Sequence, residues 1–126
     1  MGRDFNKGDI SPLDRIKNLA HDSFIAKMEK AFATLQELII LKIETNESEL
    51  IMPKKQFLEL MTNAGFIMNS DEMGGFNLTK QIQFLIDREI RTMCHLEYDW
   101  DILGSKITSN GVYYLPKEAT QLMFRW

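Results

Sequence analysis

The stretch Asn77–Tyr98 constrains the fold most, because its hydrophobic period changes from helical to alternating partway along. In its first half, apolar residues recur at spacings of four, three and one, which places them on one side of a helix. These residues are Leu78, Ile82, Leu85 and Ile86. Asn77 is predicted to cap that helix, because its side-chain oxygen can accept a backbone N–H of the first turn.

Beyond Arg88 the sequence alternates as in a half-buried strand. The predicted apolar face of this strand holds Leu96, Tyr98 and Trp100. The predicted acidic face holds Glu97, Asp99 and Asp101. A capped helix that runs into an amphipathic hairpin is typical of a winged helix-turn-helix. The predicted fold class is therefore α+β, mostly α, with a long N-terminal helix and a small antiparallel β-hairpin or sheet.

The long helix is predicted on the N-terminal side of this unit. Ser11 is a suitable cap, Pro12 suits the first helical position, and Asp14 places a negative charge in the first turn. An apolar stripe then continues along the whole predicted segment. Because Asp22 and Ser23 are both capping residue types, the stripe fits either one long helix or two consecutive helices.

A strand and a second helix are predicted between the long helix and the central stretch. Residues 50–52 form a short apolar run, and Pro53 opens a helix that reaches about Asn63 and ends at Gly65. The loop 66–76 that follows is long for a helix-turn-helix, in which a turn of about three or four residues is usual.

Short elements are also predicted at the C-terminal end. Ile107–Thr108 and Val112–Leu115 are predicted strands around a tight turn at residues 109–111. Pro116 ends the second of them. Residues 117–124 are predicted to form a short final helix, whose inward positions are Ala119, Leu122 and Met123.

Length and composition indicate one globular domain in a reducing compartment. A chain of 126 residues with 44% hydrophobic content fits a single winged-helix domain over residues 11–126, preceded by a flexible N-terminus over residues 1–10. The single cysteine, Cys94, excludes an internal disulfide and favours an intracellular location, in cytoplasm or nucleus. No apolar run approaches the roughly 20 residues of a membrane span, and no signal-peptide pattern opens the chain.

The charge of the chain bears on nucleic-acid binding. The net charge is −3 and the pI is about 5.4, whereas domains that bind nucleic acid usually carry a basic excess. If the chain does bind DNA, the predicted donors to bases and phosphates are Lys80, Gln81, Gln83, Arg88 and Lys106. The carboxylates predicted on the wing would oppose phosphate there, which disfavours the usual DNA-binding mode.

No pattern typical of an enzyme or a metal site is present. Neither His21 nor His95 has a Cys or carboxylate partner at ligand spacing. The glycines belong to predicted turns, and the sequence contains no GxGxxG or GxxxxGK phosphate loop. Cys94 is expected to be a buried structural thiol. We therefore expect no enzymatic activity, no metal ion and no cofactor.

A protein partner is the favoured ligand. Most aromatic residues have the spacing of core positions, but four apolar side chains are predicted to remain at the surface as a docking patch. These are Met68, Met73, Phe124 and Trp126. The alternative left open is that they pack against the long first helix.

The run Leu85-Ile86-Asp87-Arg88-Glu89, with Leu78–Ile82 before it and Val112–Leu115 after it, resembles the C-terminal winged-helix domain of cullins. The resemblance extends over Leu38–Leu115, and the pentapeptide is its specific part. In cullins this domain contacts a RING partner and carries a lysine modified by a ubiquitin-like protein. The resemblance implies a docking role within a ubiquitin-ligase-like complex, with Lys42 at the place of that lysine but without its basic surround.

Two functions follow from the sequence. The first is a non-enzymatic winged-helix interaction module that docks a protein partner. The alternative is a DNA-binding winged-helix protein, a regulator or a replication or partition factor, which would use the helix 78–89 and the wing. Steep salt dependence of binding would indicate DNA. A third possibility is a homodimer formed through the first helix.

Overall fold

A computed structural model describes residues 11–103 and 111–126 and confirms the predicted α+β class, mostly α, with a long N-terminal helix and a small antiparallel sheet. We number the elements in chain order. The helices are α1 (Pro12–Glu44), α2 (Lys54–Asn63) and α3 (Thr79–Ile86). The strands are β1 (Glu49–Pro53), β2 (Phe76–Asn77), β3 (Arg91–Leu96), β4 (Asp99–Ile102), β5 (Tyr114–Leu115) and β6 (Gln121–Arg125).

The helix α1 is one continuous helix of 33 residues, so the capping residues in its middle do not divide it. At its start the Ser11 hydroxyl accepts the backbone N–H of Asp14 at 3.1 Å, and Pro12 occupies the first turn as predicted. Its buried residues all lie in the second half, at Met28, Ala31, Leu35 and Ile39. The helix therefore packs on the domain with its C-terminal half.

The two helices that follow α1 begin and end close to the predicted positions. α2 starts directly after Pro53, and Gly65 adopts the positive φ that the predicted stop requires. α3 begins two residues after Asn77, and Leu78 takes the cap position. The Asn77 side chain still accepts the backbone N–H of Thr79 at 3.0 Å and its hydroxyl at 2.6 Å.

The main sheet has the strand order β1-β6-β3-β4, and every neighbouring pair is antiparallel. The last strand, β6, thus lies between two others. Leu122, Met123 and Phe124 are buried in it, and Phe124 stacks on Phe57 of α2 at a centroid distance of 6.0 Å. The sheet and the C-terminal half of α1 enclose one hydrophobic core.

The predicted final helix over residues 117–124 is wrong, because β6 occupies that part of the chain. Three consecutive apolar residues are buried there, one after another, in a strand covered on both faces. Such a run has no alternation to distinguish it from a short buried helix. The strand predicted at residues 112–115 is observed only at its end, where β5 pairs with β2.

The predicted antiparallel hairpin is observed as β3 and β4, but the alternating run at residues 96–101 contains its turn and is not one strand. β3 ends at Leu96, a turn follows, and β4 returns from Asp99, with His95 opposite Trp100. Glu97 has a φ of +51°, which an extended strand does not contain, and Tyr98 at the tip is 92% exposed. The predictions for residues 1–10, Lys106 and Ile107–Thr108 lie outside the described residues.

The long loop 66–76 is tied to the C-terminal part of the chain. The Tyr114 hydroxyl donates to the Asp71 carboxylate at 2.5 Å, and Asp71 also accepts the backbone N–H groups of Met73 and Gly75. That hydroxyl lies so close to Gly75 that a Cβ there would approach it to 2.1 Å. This loop is thus held by a defined set of hydrogen bonds. The same bonds lower the pKa of Asp71, and the bond from the Tyr114 hydroxyl contributes most to that shift.

Candidate docking groove

The N-terminal half of α1 extends past the core. Among the described residues of this helix, none before Met28 is buried. Leu13, Ile16 and Leu19 are 59%, 62% and 64% exposed, although each is a large aliphatic side chain. Residues 12–23 span about 18 Å at 1.5 Å per residue, so an apolar helical segment of that length has no packing partner among residues 11–103 and 111–126.

A groove lies directly beside this segment, between α1 and α3. Its volume is about 490 Å³. Its apolar lining comes from both helices, at Ala20, Phe24, Ile25 and Phe84. Its polar lining consists of Lys17, His21, Lys80, Gln83 and Asp87. An apolar groove between two helices with charged residues at its edge is the form of site that receives an amphipathic helix.

The side chains at the inner end of the groove are fixed by aromatic packing. Phe84 contacts Phe32 edge to face at 5.9 Å, and Phe24 contacts Phe66 in the same manner at 5.7 Å. Lys27 lies over the Phe66 ring at 5.8 Å. These contacts tie Phe24 and Phe84, which line the groove, to neighbouring aromatic rings.

Of the predicted DNA-contacting residues that the structure describes, Lys80, Gln83 and Arg88 are exposed, but each is in contact with or beside other parts of the protein. Lys80 and Gln83 line the groove, where they face α1, and Gln81 is half-buried. The Gln83 amide donates to Asp87 at 3.1 Å. Arg88 lies with its guanidinium 3.4 Å from the centroid of the Phe84 ring and donates to the Phe84 carbonyl at 3.1 Å. This guanidinium is thus engaged by its own helix.

Carboxylates surround a second cavity at the wing, of about 500 Å³. Glu97, Asp99 and Asp101 line it, as does Glu118, which sequence reasoning did not associate with the wing. Pro116 and Glu118 reach this place because the chain returns past the hairpin before β6. The predicted accumulation of acidic groups at the wing is therefore observed, although the residues lie around a turn and not along one strand face.

The four predicted protein-binding residues have different environments. Phe124 is fully buried, so its predicted position at the surface is wrong. Trp126 is 39% exposed and Met73 is 74% exposed. Met68 is half-buried and packs on the core. The structure does not gather these side chains into the groove, which is lined by residues of α1, of α3 and by Asp87 at the end of α3.

The sequence did not predict the groove or show which half of the first helix projects, although one signal for the projecting half was present. A helix of 33 residues is about 50 Å long, whereas a helix of about 20 residues already spans a small domain. An apolar stripe that runs along the whole of such a helix must leave the domain at one end. The sequence left open a homodimer through the first helix, but it did not assign that contact to the first half of the stripe.

The structure shows an inert thiol and no clustered metal ligands. Burial, together with a smaller contribution from the nearby Asp101 carboxylate, raises the pKa of Cys94 to about 11. Within the described ranges, no group of three or more His, Cys, Asp and Glu side chains is placed to hold a metal ion. Nor is any helix of the described part long and apolar enough to cross a membrane.

Comparison with known proteins gave no relative. Searches of protein-family models, of curated proteins and of solved structures each returned no match to this chain.

Proposed function

We propose that this chain is a non-enzymatic protein-interaction module of the winged-helix type, and that it docks a helical segment of a protein partner in the α1–α3 groove. The observation that carries the proposal is the continuity of that groove with the exposed apolar residues of α1, Leu13 and Ile16. Isolated helices of this length are marginal in water, so the projecting segment gains stability from a partner that covers it.

The same geometry disfavours the DNA alternative. A recognition helix enters the major groove with an open face, but the Lys80 and Gln83 side of α3 is one wall of a groove closed by α1. Arg88 is stacked on Phe84, and the wing adds carboxylates where a duplex would place phosphates. A place in a ubiquitin-ligase-like complex rests on the cullin resemblance alone.

The test uses a photo-crosslinking amino acid in the groove, at Lys17, and the same amino acid at Glu59 on the exposed face of α2 as a control. The full chain is irradiated in extract of the cells that produce it. We expect a discrete polypeptide adduct from position 17 and none from position 59. In parallel, binding to a mixed-sequence DNA duplex is measured by fluorescence anisotropy at physiological salt.

Micromolar or tighter binding to the duplex, lost steeply as salt is raised, together with no adduct from position 17, would overturn the proposal in favour of DNA. Adducts of equal yield from both positions would also contradict it, because they would show that the groove is not the contact site.

A further inference from the structure

We propose that the segment docked in the α1–α3 groove is the projecting half of α1 from a second copy of this chain, in an antiparallel pair about a two-fold axis. The inference rests on the proposed function and names its partner. It follows from two features that the described residues of one copy leave uncovered, the exposed apolar side chains of residues 13–20 and the groove beside residues 17–25.

The two features lie on the same side of α1. Leu13, Ala20 and Phe24 are separated by seven and four residues, which keeps them in one line along the helix, and Ile16 lies next to that line. Leu19 lies about 100° around the helix from Ala20 and outside this line. We call the exposed apolar residues along this line the ridge. The ridge and the groove are thus neighbouring parts of one surface.

A two-fold axis can bring the apolar residues of each copy to the groove of the other copy at the same time. In an isologous interface the same patch is used by both subunits, so the ridge of each copy fills the groove of the other. With the axis near residues 18 and 19, Leu13 of one copy meets Phe24 and Phe84 of its partner, and Ile16 meets Ala20. The assembly closes at two copies, which leaves neither ridge nor groove open for further growth.

The charges of the segment permit this self-pairing. Between residues 11 and 25 the formal charges are two cations, Arg15 and Lys17, and two carboxylates, Asp14 and Asp22. The paired segments therefore carry no net charge, although the chain as a whole is acidic. The positive end of the helix dipole at Pro12 also enters a groove whose lining includes the Asp87 carboxylate.

The surface area that the two copies are expected to bury indicates a dimer of moderate affinity. Two helical segments in contact over about 18 Å, together with the α3 walls, bury on the order of 1,000 Å² in total, near the lower limit for a specific interface. We therefore expect dissociation in the micromolar range, so that monomer and dimer exchange at concentrations accessible to sedimentation.

The experiment is sedimentation velocity of the full chain from low micromolar to submillimolar concentration, with three aspartate variants. Ile16→Asp places a charge in the seam and is expected to raise the dimer dissociation constant at least about tenfold. Leu19→Asp, outside the seam, is expected to change it much less. Ile43→Asp is the matched control, since Ile43 is a 50%-exposed isoleucine at the other end of the same helix.

A single cysteine tests the register. Lys17→Cys lies close to the proposed axis and is expected to form an intermolecular disulfide in air, whereas Gln36→Cys on the far half of α1 is not. The native Cys94 does not interfere, because it is buried. Circular dichroism melting confirms that each variant is folded.

The outcomes separate the two proposals. A chain that stays monomeric up to submillimolar concentration overturns the self-pairing, and a polypeptide adduct from position 17 would then assign the groove to a different protein. A dimer weakened equally by Ile16→Asp and Ile43→Asp overturns the groove geometry. A dimer weakened by Ile16→Asp alone, with the Lys17→Cys disulfide, supports it.

Discussion

The guanidinium carbon of Arg88 lies 3.4 Å from the centroid of the Phe84 ring and 5.7 Å from that of Phe32. The same guanidinium donates to the Phe84 carbonyl at the end of α3. Arg88 is therefore a structural residue that covers the aromatic packing between α1 and α3. These contacts hold the Arg88 guanidinium against the protein, although the side chain stays exposed.

Replacement of Arg88 is expected to lower stability. Arg88→Ala removes a cation–π contact and a charge-assisted hydrogen bond to a carbonyl, and we expect a loss of about 1–2 kcal/mol in the free energy of unfolding. Arg88→Lys is expected to recover only part of it, because an ammonium group lacks the planar stacking surface. Urea unfolding measures the free energy of unfolding of both Arg88 variants. Lys80→Ala is the control and should change that free energy by less than about 0.5 kcal/mol. Equal effects of the Arg88 and Lys80 variants would contradict this role.

Replacement of Phe124 is expected to lower the free energy of unfolding by as much as replacement of other core residues does. Phe124→Ala removes a fully buried ring stacked on Phe57 and should cost about 3–5 kcal/mol, a large part of the stability of a small domain. Trp126→Ala, two residues away and 39% exposed, is the control and should cost much less. Denaturant unfolding of the two variants compares them directly. A similar small loss in both would place Phe124 at the surface after all.

Features that depend on neighbouring residues were predicted correctly from the sequence, whereas features that depend on distant parts of the chain were not. The start of α1 at Ser11 and Pro12 and the stop at Gly65 were predictable, because each depends on the backbone of a few adjacent residues. Strand β6 was not, since the burial of both its faces depends on β1 and β3, which are distant in sequence. The wing turn at Glu97 was hidden by an alternation that continues across it.

The candidate site was less predictable than the fold. Lys80 and Gln83 were identified as exposed residues of one helix, but nothing in their own segment shows that α1 stands opposite them. Phe84 was not singled out as a site residue, because its wall of the groove exists only when α3 packs beside Phe32. Sequence patterns assign residues to helix faces, whereas a groove is a property of two faces together.

The Tyr114–Asp71 hydrogen bond is expected to make the stability of the loop 66–76 depend on pH. The Tyr114 hydroxyl favours the ionised carboxylate, so the pKa of Asp71 lies below its ordinary value of 3.8, and the same bond raises the pKa of Tyr114. A depressed carboxyl pKa contributes stability above its ordinary value, and that contribution is lost as pH falls through the folded-state pKa. The raised phenol pKa contributes below about pH 10, and its contribution is lost as pH rises further.

Tyr114→Phe is therefore expected to raise the pKa of Asp71 toward its ordinary value in a carboxyl NMR titration. It should also lower the melting temperature at neutral pH, with the difference from the wild-type chain narrowing in acid as Asp71 protonates. Tyr98→Phe is the control, because Tyr98 is 92% exposed at the tip of the wing. An unchanged Asp71 titration in Tyr114→Phe would show that the bond does not form in solution.

The Cys94 thiol is expected to be unreactive in the folded protein. Because burial raises its pKa from 9.0 to about 11, the thiolate fraction at pH 8 falls about a hundredfold, and the surrounding core excludes reagents as well. Labelling with Ellman's reagent should therefore be at least about a hundredfold slower in buffer than in concentrated urea. The Gln36→Cys variant supplies the exposed comparison, whose new thiol should react rapidly without denaturant. Since the raised pKa stabilises the protonated thiol of the folded state, the free energy of unfolding should decline as pH rises above 9. Rapid labelling of the native wild-type chain would show that the sheet around β3 opens readily, and that Cys94 is not held in a closed core.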